Sequence, residues 1–563
     1  MPQWTRNRPA AISFVFFCAF WLQAPQQVAL AAADLEADRI DAILAKAYPD
    51  GQPGAAVIVT KDGKTVFRKA YGMANLELGV PLQPDMVFRL GSITKQFTAA
   101  AILLLEQRGE LSVEDPITKH LPDYPVHGHR ITVEHLLTHT SGIFNYTAIP
   151  GYMAEKVRQD LSTDELVEAF KDQPMNFAPG ERWSYSNSGY VLLGAIIEKV
   201  SGQSYADFVQ KNIFEPLGMK QSYYGGHQII PKRVAGYQGA PGSYRNADYL
   251  SMTQPHAAGS LLSTVDDLAR WDQALYSDEL LSRETFGRMT TPFTLNSGEK
   301  TTYGYGFQVG DVRGQRVIRH GGGIFGFRTD AIRIPDQKIY LAVLTNSTGP
   351  QPGPGFAATK IAAVALGDPF PEWKAVEVDS QVLSRYLGVY KISDDEQRIL
   401  TLDNGRLFTQ RGSGNRLEAV PASETTFFYR NSLSYFEIER DAQGNATAML
   451  MHQNGSKQAE RSERVSDKPP LREAVQVDPG LYDAYQGVYQ LAPGFSLTIT
   501  HDGDRLLAQA TGQPQVEIFP ESETKFFLKV VNAQITFVRE GGGPAEELIL
   551  HQGGRDMPGK RVK

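Results

Sequence analysis

Residues 92–108 read Ser-Ile-Thr-Lys-Gln-Phe-Thr-Ala-Ala-Ala-Ile-Leu-Leu-Leu-Glu-Gln-Arg and stop at Gly109. Alanine and leucine favour helix, and glycine commonly follows a helix end, so the stretch predicts one helix opening at Ser92. Past Phe97 it is apolar on nearly every side, which suits a buried central helix. Upstream, residues 55–72 alternate apolar and polar around Asp62-Gly63, the pattern of a β-hairpin. Downstream come shorter helical patterns at roughly 133–138, 163–171, 189–200, 204–213 and 265–276. Strand patterns follow at about 315–320, 327–334 and 339–346, with Pro335-Asp336 as a turn, then a helix near 356–366. Strands at both ends and helices between predict an α+β domain over 34–367, with one antiparallel sheet assembled from distant segments and helices packed on it.

Pro369, Pro371 and the polar stretch around Glu377 read as a linker over 368–378, and beyond it helical periodicity disappears. Short β-rich runs recur there in two copies with a constant offset of 99 residues. Tyr386-Leu-Gly388-Val-Tyr390 matches Tyr485-Gln-Gly487-Val-Tyr489, Arg406-Leu407 matches Arg505-Leu506, and His452-Gln453 matches His551-Gln552. Pro421, Ser423-Glu424-Thr425 and Phe427-Phe428 match Pro520, Ser522-Glu523-Thr524 and Phe526-Phe527. An unbroken register over so many blocks is a duplication, with copies at 379–463 and 480–563 joined by 464–479. About eight candidate strands in roughly 85 residues suit a small closed antiparallel β-barrel. The aromatic-rich repeats read as filled cores rather than ligand cups.

The 563 residues, at about 150 per domain, imply three or four domains. With 42% hydrophobic and 21% charged residues, wholesale disorder is excluded. Net charge is −7 with a pI of about 5.9 and no basic block, so nucleic acid is not an expected partner. The single cysteine, Cys18, excludes a disulfide scaffold and a cysteine-rich zinc site. His135 and His139 stand four apart near His127 and His129, but no Glu follows His135 as in His-Glu-x-x-His; packing and loop hydrogen bonds account for them, and no metal or cofactor is expected. Neither a Gly-x-Ser-x-Gly elbow nor a nucleotide-binding P-loop motif occurs.

Arg6 and Arg8 precede a 13-residue, mostly apolar run, Ala10 to Leu22, too short to span a bilayer comfortably but suited to a secretory signal. Cleavage after Ala29-Leu30-Ala31, or Ala31-Ala32-Ala33, defines a signal peptide over 1–31. Val15-Phe16-Phe17 before Cys18 lacks the small residues of a lipoprotein signal. No later segment resembles a membrane span. The expectation is a periplasmic or secreted protein without stable membrane insertion after cleavage.

Ser92-Ile-Thr-Lys95 sets a hydroxyl and an amine on one helix face. The helix start supplies N–H groups and a positive dipole, and a partly desolvated lysine can accept the serine proton. The spacing recurs at Ser297…Lys300 and Ser522…Lys525, so it is weak by itself. Tyr185-Ser186-Asn187 offers a phenol for proton transfer and an amide for orienting substrate, though Tyr244…Asn246 and Tyr429…Asn431 share the pattern. His320-Gly321-Gly322-Gly323 puts glycines on a strand, where a ligand or backbone approaches closely.

In that order, separated by 93 and then 135 residues, these motifs resemble the penicillin-recognising serine hydrolases: class C β-lactamases, D-alanyl-D-alanine carboxypeptidases, D-aminopeptidases and related esterases. His135-Leu-Leu-Thr-His-Thr-Ser-Gly142, Tyr303-Gly-Tyr-Gly306 and Gly259-Ser-Leu-Leu-Ser-Thr264 also look like that family. The resemblance covers about residues 36–367. It implies Ser92 as nucleophile, Lys95 and Tyr185 as the proton-transfer pair, and Asn187, His320 and Gly322 as substrate contacts. It also implies the backbone N–H groups of Ser92 and Gly323 as the oxyanion hole. Which of Lys95 and Tyr185 takes the serine proton stays open.

One departure is His320, which stands where the β-lactamases carry a lysine and is expected to be cationic only part of the time near neutral pH. This favours peptidase or esterase chemistry. The implied function is an acyl-enzyme hydrolase of amide or ester bonds, a D-amino-acid-specific peptidase or an esterase, on small-molecule or short-peptide substrates. The alternatives are a class C-type β-lactamase, a D-alanyl-D-alanine carboxypeptidase, or a penicillin-binding sensor without turnover. The sensor ranks lower because Tyr185, which the family uses in deacylation, is intact. A hydrolase followed by two lipocalin-like barrels resembles the layout of D-aminopeptidases, which implies a barrel loop that narrows the cleft; added stability or a homo-oligomer is the alternative role.

Overall fold

The computed structural model describes Met1 and residues 36–562, apart from 350–351, 413, 469–473, 493, 530, 532, 540 and 553–554. The expected signal peptide and Cys18 lie outside the described residues. The chain divides into two compact units, one ending at Phe370 and one beginning at Pro371.

In the first unit, helix α1 (36–47) leads into the expected hairpin, β1 (Ala55–Lys61) and β2 (Lys64–Tyr71). Asp62 and Gly63 form its turn with φ of 50° and 72°, the left-handed pair a two-residue hairpin needs. The far end of the domain supplies β3 (Gln308–Val312), β4 (Gln315–Ile324), β5 (Phe327–Ile334) and β6 (Ile339–Thr345). They join the hairpin in one antiparallel sheet of order β3-β4-β5-β6-β1-β2, closed by pairing Ala55 with Thr345. This is the sheet built from distant segments that the sequence pattern implied. Edge strand β3 was not anticipated; Gln-Val-Gly-Asp-Val is too short and polar to announce itself.

Helix α2 (Thr94–Gln107) is buried at every residue from Thr94 to Leu105. It packs with α3 (Asn187–Ser201) in a single core that also takes in Ile58, Ala331 and Leu344 of the sheet. Each fully buried leucine or isoleucine on α2 contributes roughly 1.5–3 kcal/mol. Helix α3 is opened by the Ser186 hydroxyl, which accepts from the Gly189 N–H, and closed by Gly202 at φ 67°. Helix α4 (Val265–Ala274) carries Asp272 to a buried ion pair with Arg333 of β5. Helix α5 (Pro354–Ala365) packs on β5 and β6.

The second unit contains two closed eight-stranded barrels, with strands from Gly388 to Ser466 and from Gly487 to Arg561. The duplicated Tyr-x-Gly-x-Tyr motif has the same job in both. Tyr390 Oη donates to the Tyr386 carbonyl at 2.6 Å, and Tyr489 Oη donates to the Tyr485 carbonyl at 2.9 Å. All four tyrosines are fully buried. The intervening Gly388 has φ 137°, and a Cβ there would fall 1.9 Å from the Ser466 carbonyl oxygen. The interiors are filled by apolar and aromatic side chains, including Phe427 with Phe436 and Phe526 with Phe537.

Candidate active site

Ser92 is not the first residue of the α-helix. Gly91–Ile93 form a 3-10 turn and α2 begins only at Thr94. The cause is Gly91: its φ is 56°, and a Cβ there would lie 3.0 Å from the Gly323 nitrogen. The turn is therefore seated against the backbone of β4, which sets Ser92 beside Gly323.

Ser92 Oγ is the centre of a short network. Lys95 Nζ lies 3.1 Å away, and Tyr185 Oη donates to the same oxygen at 2.8 Å. Lys95 Nζ also donates to Asn187 Oδ1 at 2.9 Å and to the Ala258 carbonyl at 2.8 Å. Its remaining surroundings are aromatic, with the Tyr185 and Tyr190 ring centroids 4.7 and 5.3 Å off. Lys95 is fully buried and no carboxylate pairs with it among the described residues. Burial alone therefore pushes its ammonium well below the ordinary lysine range. A neutral amine has two N–H donors and one lone pair. With Asn187 and Ala258 taking the donors, the lone pair is left for the Ser92 hydroxyl. The Tyr185 phenol is pushed the other way: burial raises it, and the Ser92 hydrogen bond only partly offsets this. It stays protonated at neutral pH.

His320 lies at the cleft but is only 3% exposed. Its Nε2 meets Tyr303 Oη at 2.8 Å and its Nδ1 lies 2.6 Å from the Gly321 carbonyl oxygen. Burial lowers its pKa to about 3. This corrects the expectation of a part-time cation: the imidazole is neutral throughout the physiological range. The cations of the cleft are arginines. Arg319 is committed to Asp330 by contacts of 2.9 Å to both carboxylate oxygens. Arg328, paired across the sheet with Gly323, has no ion-pair partner among the described residues.

The glycines divide their roles. Strand β3 pairs with β4 only as far as Arg319, so His320–Ile324 presents an edge free of β3. Gly321, Gly322 and Gly323 line a cavity of about 440 Å³ together with Ser92, Tyr185 and Arg328. A Cβ on Gly322 would fall 2.0 Å from the Leu90 carbonyl oxygen and 2.2 Å from Thr329 Oγ1, so its first duty is close packing against the Ser92 loop. A Cβ on Gly323 would meet nothing within 4 Å.

The structure thus brings Ser92, Lys95, Tyr185, Asn187, His320, Gly322 and Gly323 to one place. Sequence reasoning passed over His139 and Tyr303, whose rings lie 4.7 Å apart beneath the site. His139 is buried against Tyr185 at 4.3 Å, and its Nδ1 accepts from the Ser186 N–H. Both sit in stretches already singled out, 135–142 and 303–306, but which side chain in each faces the serine is a matter of three-dimensional packing. His135 instead caps its own helix, its Nδ1 accepting from the Thr132 N–H.

The beta-lactamase family profile matches residues 41–366, and a second profile, a domain of unknown function (DUF3471), matches residues 471–561. The chain is 32% identical over 435 residues to penicillin-binding protein 4* of Bacillus subtilis (strain 168), covering 72% of this chain and 94% of that protein. It is 28% identical over 342 residues to the D-aminopeptidase of Gluconobacter oxydans (strain 621H), covering 60% of this chain and 63% of the relative. Among solved structures, the octameric penicillin-binding protein homologue from Pyrococcus abyssi superposes with a TM-score of 0.52 at 28% identity, over 73% of this chain and 96% of that one. With a serine, a buried lysine and a tyrosine gathered at the cleft of such a fold, the chain belongs to the beta-lactamase family and is a serine hydrolase.

Proposed function

We propose that the protein is an exported hydrolase that cleaves amide or ester bonds through an acyl-enzyme on Ser92, with D-amino-acid amides and short D-peptides as its substrates. The observation that carries the mechanism is the contact between Ser92 Oγ and a desolvated Lys95 Nζ. Lys95 takes the hydroxyl proton as Oγ attacks the carbonyl carbon. The carbonyl oxygen becomes an oxyanion facing the N–H groups of Ser92 and Gly323. As the tetrahedral species collapses, the C–N or C–O bond breaks, and Tyr185 hands its proton to the leaving amine or alcohol. Water then attacks the ester, its proton passing to the same pair of groups, and releases the acid with Ser92 restored. Asn187 holds Lys95 on one side, its Oδ1 accepting from Nζ.

The D-amino-acid assignment is supported by the D-aminopeptidase relatives and by the neutral His320, which supplies no fixed charge where a lysine would bind a substrate carboxylate. Export is supported by the apolar run behind Arg6 and Arg8. Arg328 favours a second reading, a carboxypeptidase or penicillin-binding activity, because its guanidinium lines the cleft without an ion-pair partner among the described residues. A substrate panel separates them: D-amino acid amides, D-alanyl-D-alanine peptides, p-nitrophenyl esters and a chromogenic cephalosporin. Highest kcat/KM on D-amino acid amides supports the first reading; preference for peptides ending in a free carboxylate supports the second.

A further inference from the structure

A second cavity, of about 530 Å³, shares no lining residue with the Ser92 cleft. Its inner wall is built where the short strand Phe88–Arg89 pairs with Leu262 and Ser263. Val87 bridges to Arg233, and the Val87 N–H and carbonyl are bonded to Lys232 and Val234. Arg89 lies two residues beyond Val87 in an extended segment, so it projects to the same side and meets Arg233 in the cavity. Neither guanidinium makes a hydrogen bond or ion pair among the described residues. The one carboxylate on the wall, Asp160, is occupied by the Ser251 hydroxyl and by His227. Burial and the neighbouring Arg233 together lower the Arg89 pKa to about 10, and its guanidinium carbon sits 5.7 Å from the Phe327 ring centroid.

Two like charges facing each other in a walled space are a standing electrostatic cost that an anion would relieve. The rest of the wall is mixed: His227, Gln228 and Thr253 stand on it beside Ile230, Leu250, Met252 and Leu262, which belong to one hydrophobic cluster. Ile229 and Tyr249, also on the lining, are 94% and 57% exposed, an unusual cost for large side chains in a protein that buries most others. We propose that the cavity between Arg89 and Arg233 binds an amphipathic carboxylate, its head forked by the two guanidiniums and its apolar body covered by Leu250, Met252, Ile229 and Tyr249. Guanidinium matches a carboxylate through paired N–H donors, and the volume is in the range of small-ligand pockets.

This site stands apart from whatever Ser92 hydrolyses, and the experiment keeps the two separate. Decanoate and decan-1-ol are titrated by calorimetry into the full chain, first native and then with Ser92 blocked by a fluorophosphonate. The expected result is one decanoate per chain, bound at least tenfold more tightly than decan-1-ol, with affinity falling as salt rises and unchanged by the block. Arg233→Gln is expected to weaken decanoate at least tenfold while leaving the circular dichroism spectrum unaltered; Arg89→Gln is the companion variant. Equal affinity for the alcohol, loss of binding on blocking Ser92, or decanoate binding that survives Arg233→Gln would each overturn the proposal. The last outcome would place the ligand elsewhere, the barrel interiors included.

Discussion

Lys95 Nζ stands 3.1 Å from Ser92 Oγ with its other two hydrogen-bonding directions already taken by Asn187 Oδ1 and the Ala258 carbonyl. This geometry makes the lysine a base with one available direction. If it is the route by which Ser92 is activated, Ser92→Ala should lower kcat by several orders of magnitude, leaving only binding and oxyanion effects. Intact-mass spectrometry after fluorophosphonate treatment should show one adduct on the native chain and none on Ser92→Ala. A persistent adduct of equal stoichiometry would place the nucleophile elsewhere.

The pH profile follows from the direction of the Lys95 shift. Only the unprotonated amine can accept the serine proton, so kcat/KM should rise as pH climbs through a Lys95 pKa that burial holds well below the ordinary lysine range. Lys95→Arg, charged at any accessible pH, should be inactive throughout. Because His320 is neutral above about pH 3, His320→Gln should leave the acid limb in place. An acid limb that moves in that variant would mean His320 titrates with the catalytic group.

His320 has a stability consequence of opposite visibility. Its pKa is near 6.5 in the unfolded chain and about 3 in the folded one, so between these values the unfolded state binds more protons. Stability should therefore fall as pH drops from 6.5 toward 3, by about 1.4 kcal/mol per pH unit from this group when fully in that window. Urea titrations at pH 4 and 7 should show a smaller difference for His320→Gln than for the native chain. An equal difference would assign the acid sensitivity to other groups.

Much of this was legible in the residue order. The period-two pattern of 55–72 and the apolar helix after Phe97 are local signals, and they fixed the sheet and the buried helix they belong to. The Tyr-x-Gly-x-Tyr repeat at 99 residues announced two equal barrels because its second tyrosine has the same hydrogen-bonding duty in both. What could not be read were facts made by distant contacts. Gly91 looks like an ordinary preceding residue until Gly323 is placed against it, and that contact delays α2 by two residues. The neutrality of His320 depends on burial against Tyr303, a residue 17 positions away that contributes nothing to the local pattern. Arg328 likewise follows the glycine motif unremarked until strand pairing sets it opposite Gly323.

Two glycines three bonds apart in pattern should behave differently. Gly322→Ala forces a Cβ to within 2.0 Å of the Leu90 carbonyl, which is backbone and cannot swing away. The variant should lose about 1–3 kcal/mol of stability and most activity, since the displaced segment carries Ser92. Gly323→Ala meets open space and should keep the native melting temperature. Matching melting temperatures for the two variants would mean the Leu90 segment is free to move.

The buried pair of Asp272 and Arg333 gives a test of the fold apart from the site. Asp272 is 4% and Arg333 2% exposed, and the guanidinium is further enclosed by Phe286, Phe307 and Tyr340 with ring centroids 5.3–5.9 Å from its carbon. Asp272→Ala would leave that charge buried without a counter-ion, at a cost of about 3–5 kcal/mol. Replacing both partners by apolar residues of similar size, Asp272→Leu with Arg333→Met, removes the charge altogether and should recover most of the loss. Thermal unfolding of the three proteins checks this. The pair joins α4 to β5 on the sheet that positions His320, so activity should fall with the single variant and return with the double one. A double variant no more stable than Asp272→Ala would show that the aromatic enclosure, and not the ion pair, is what the arginine is there to complete.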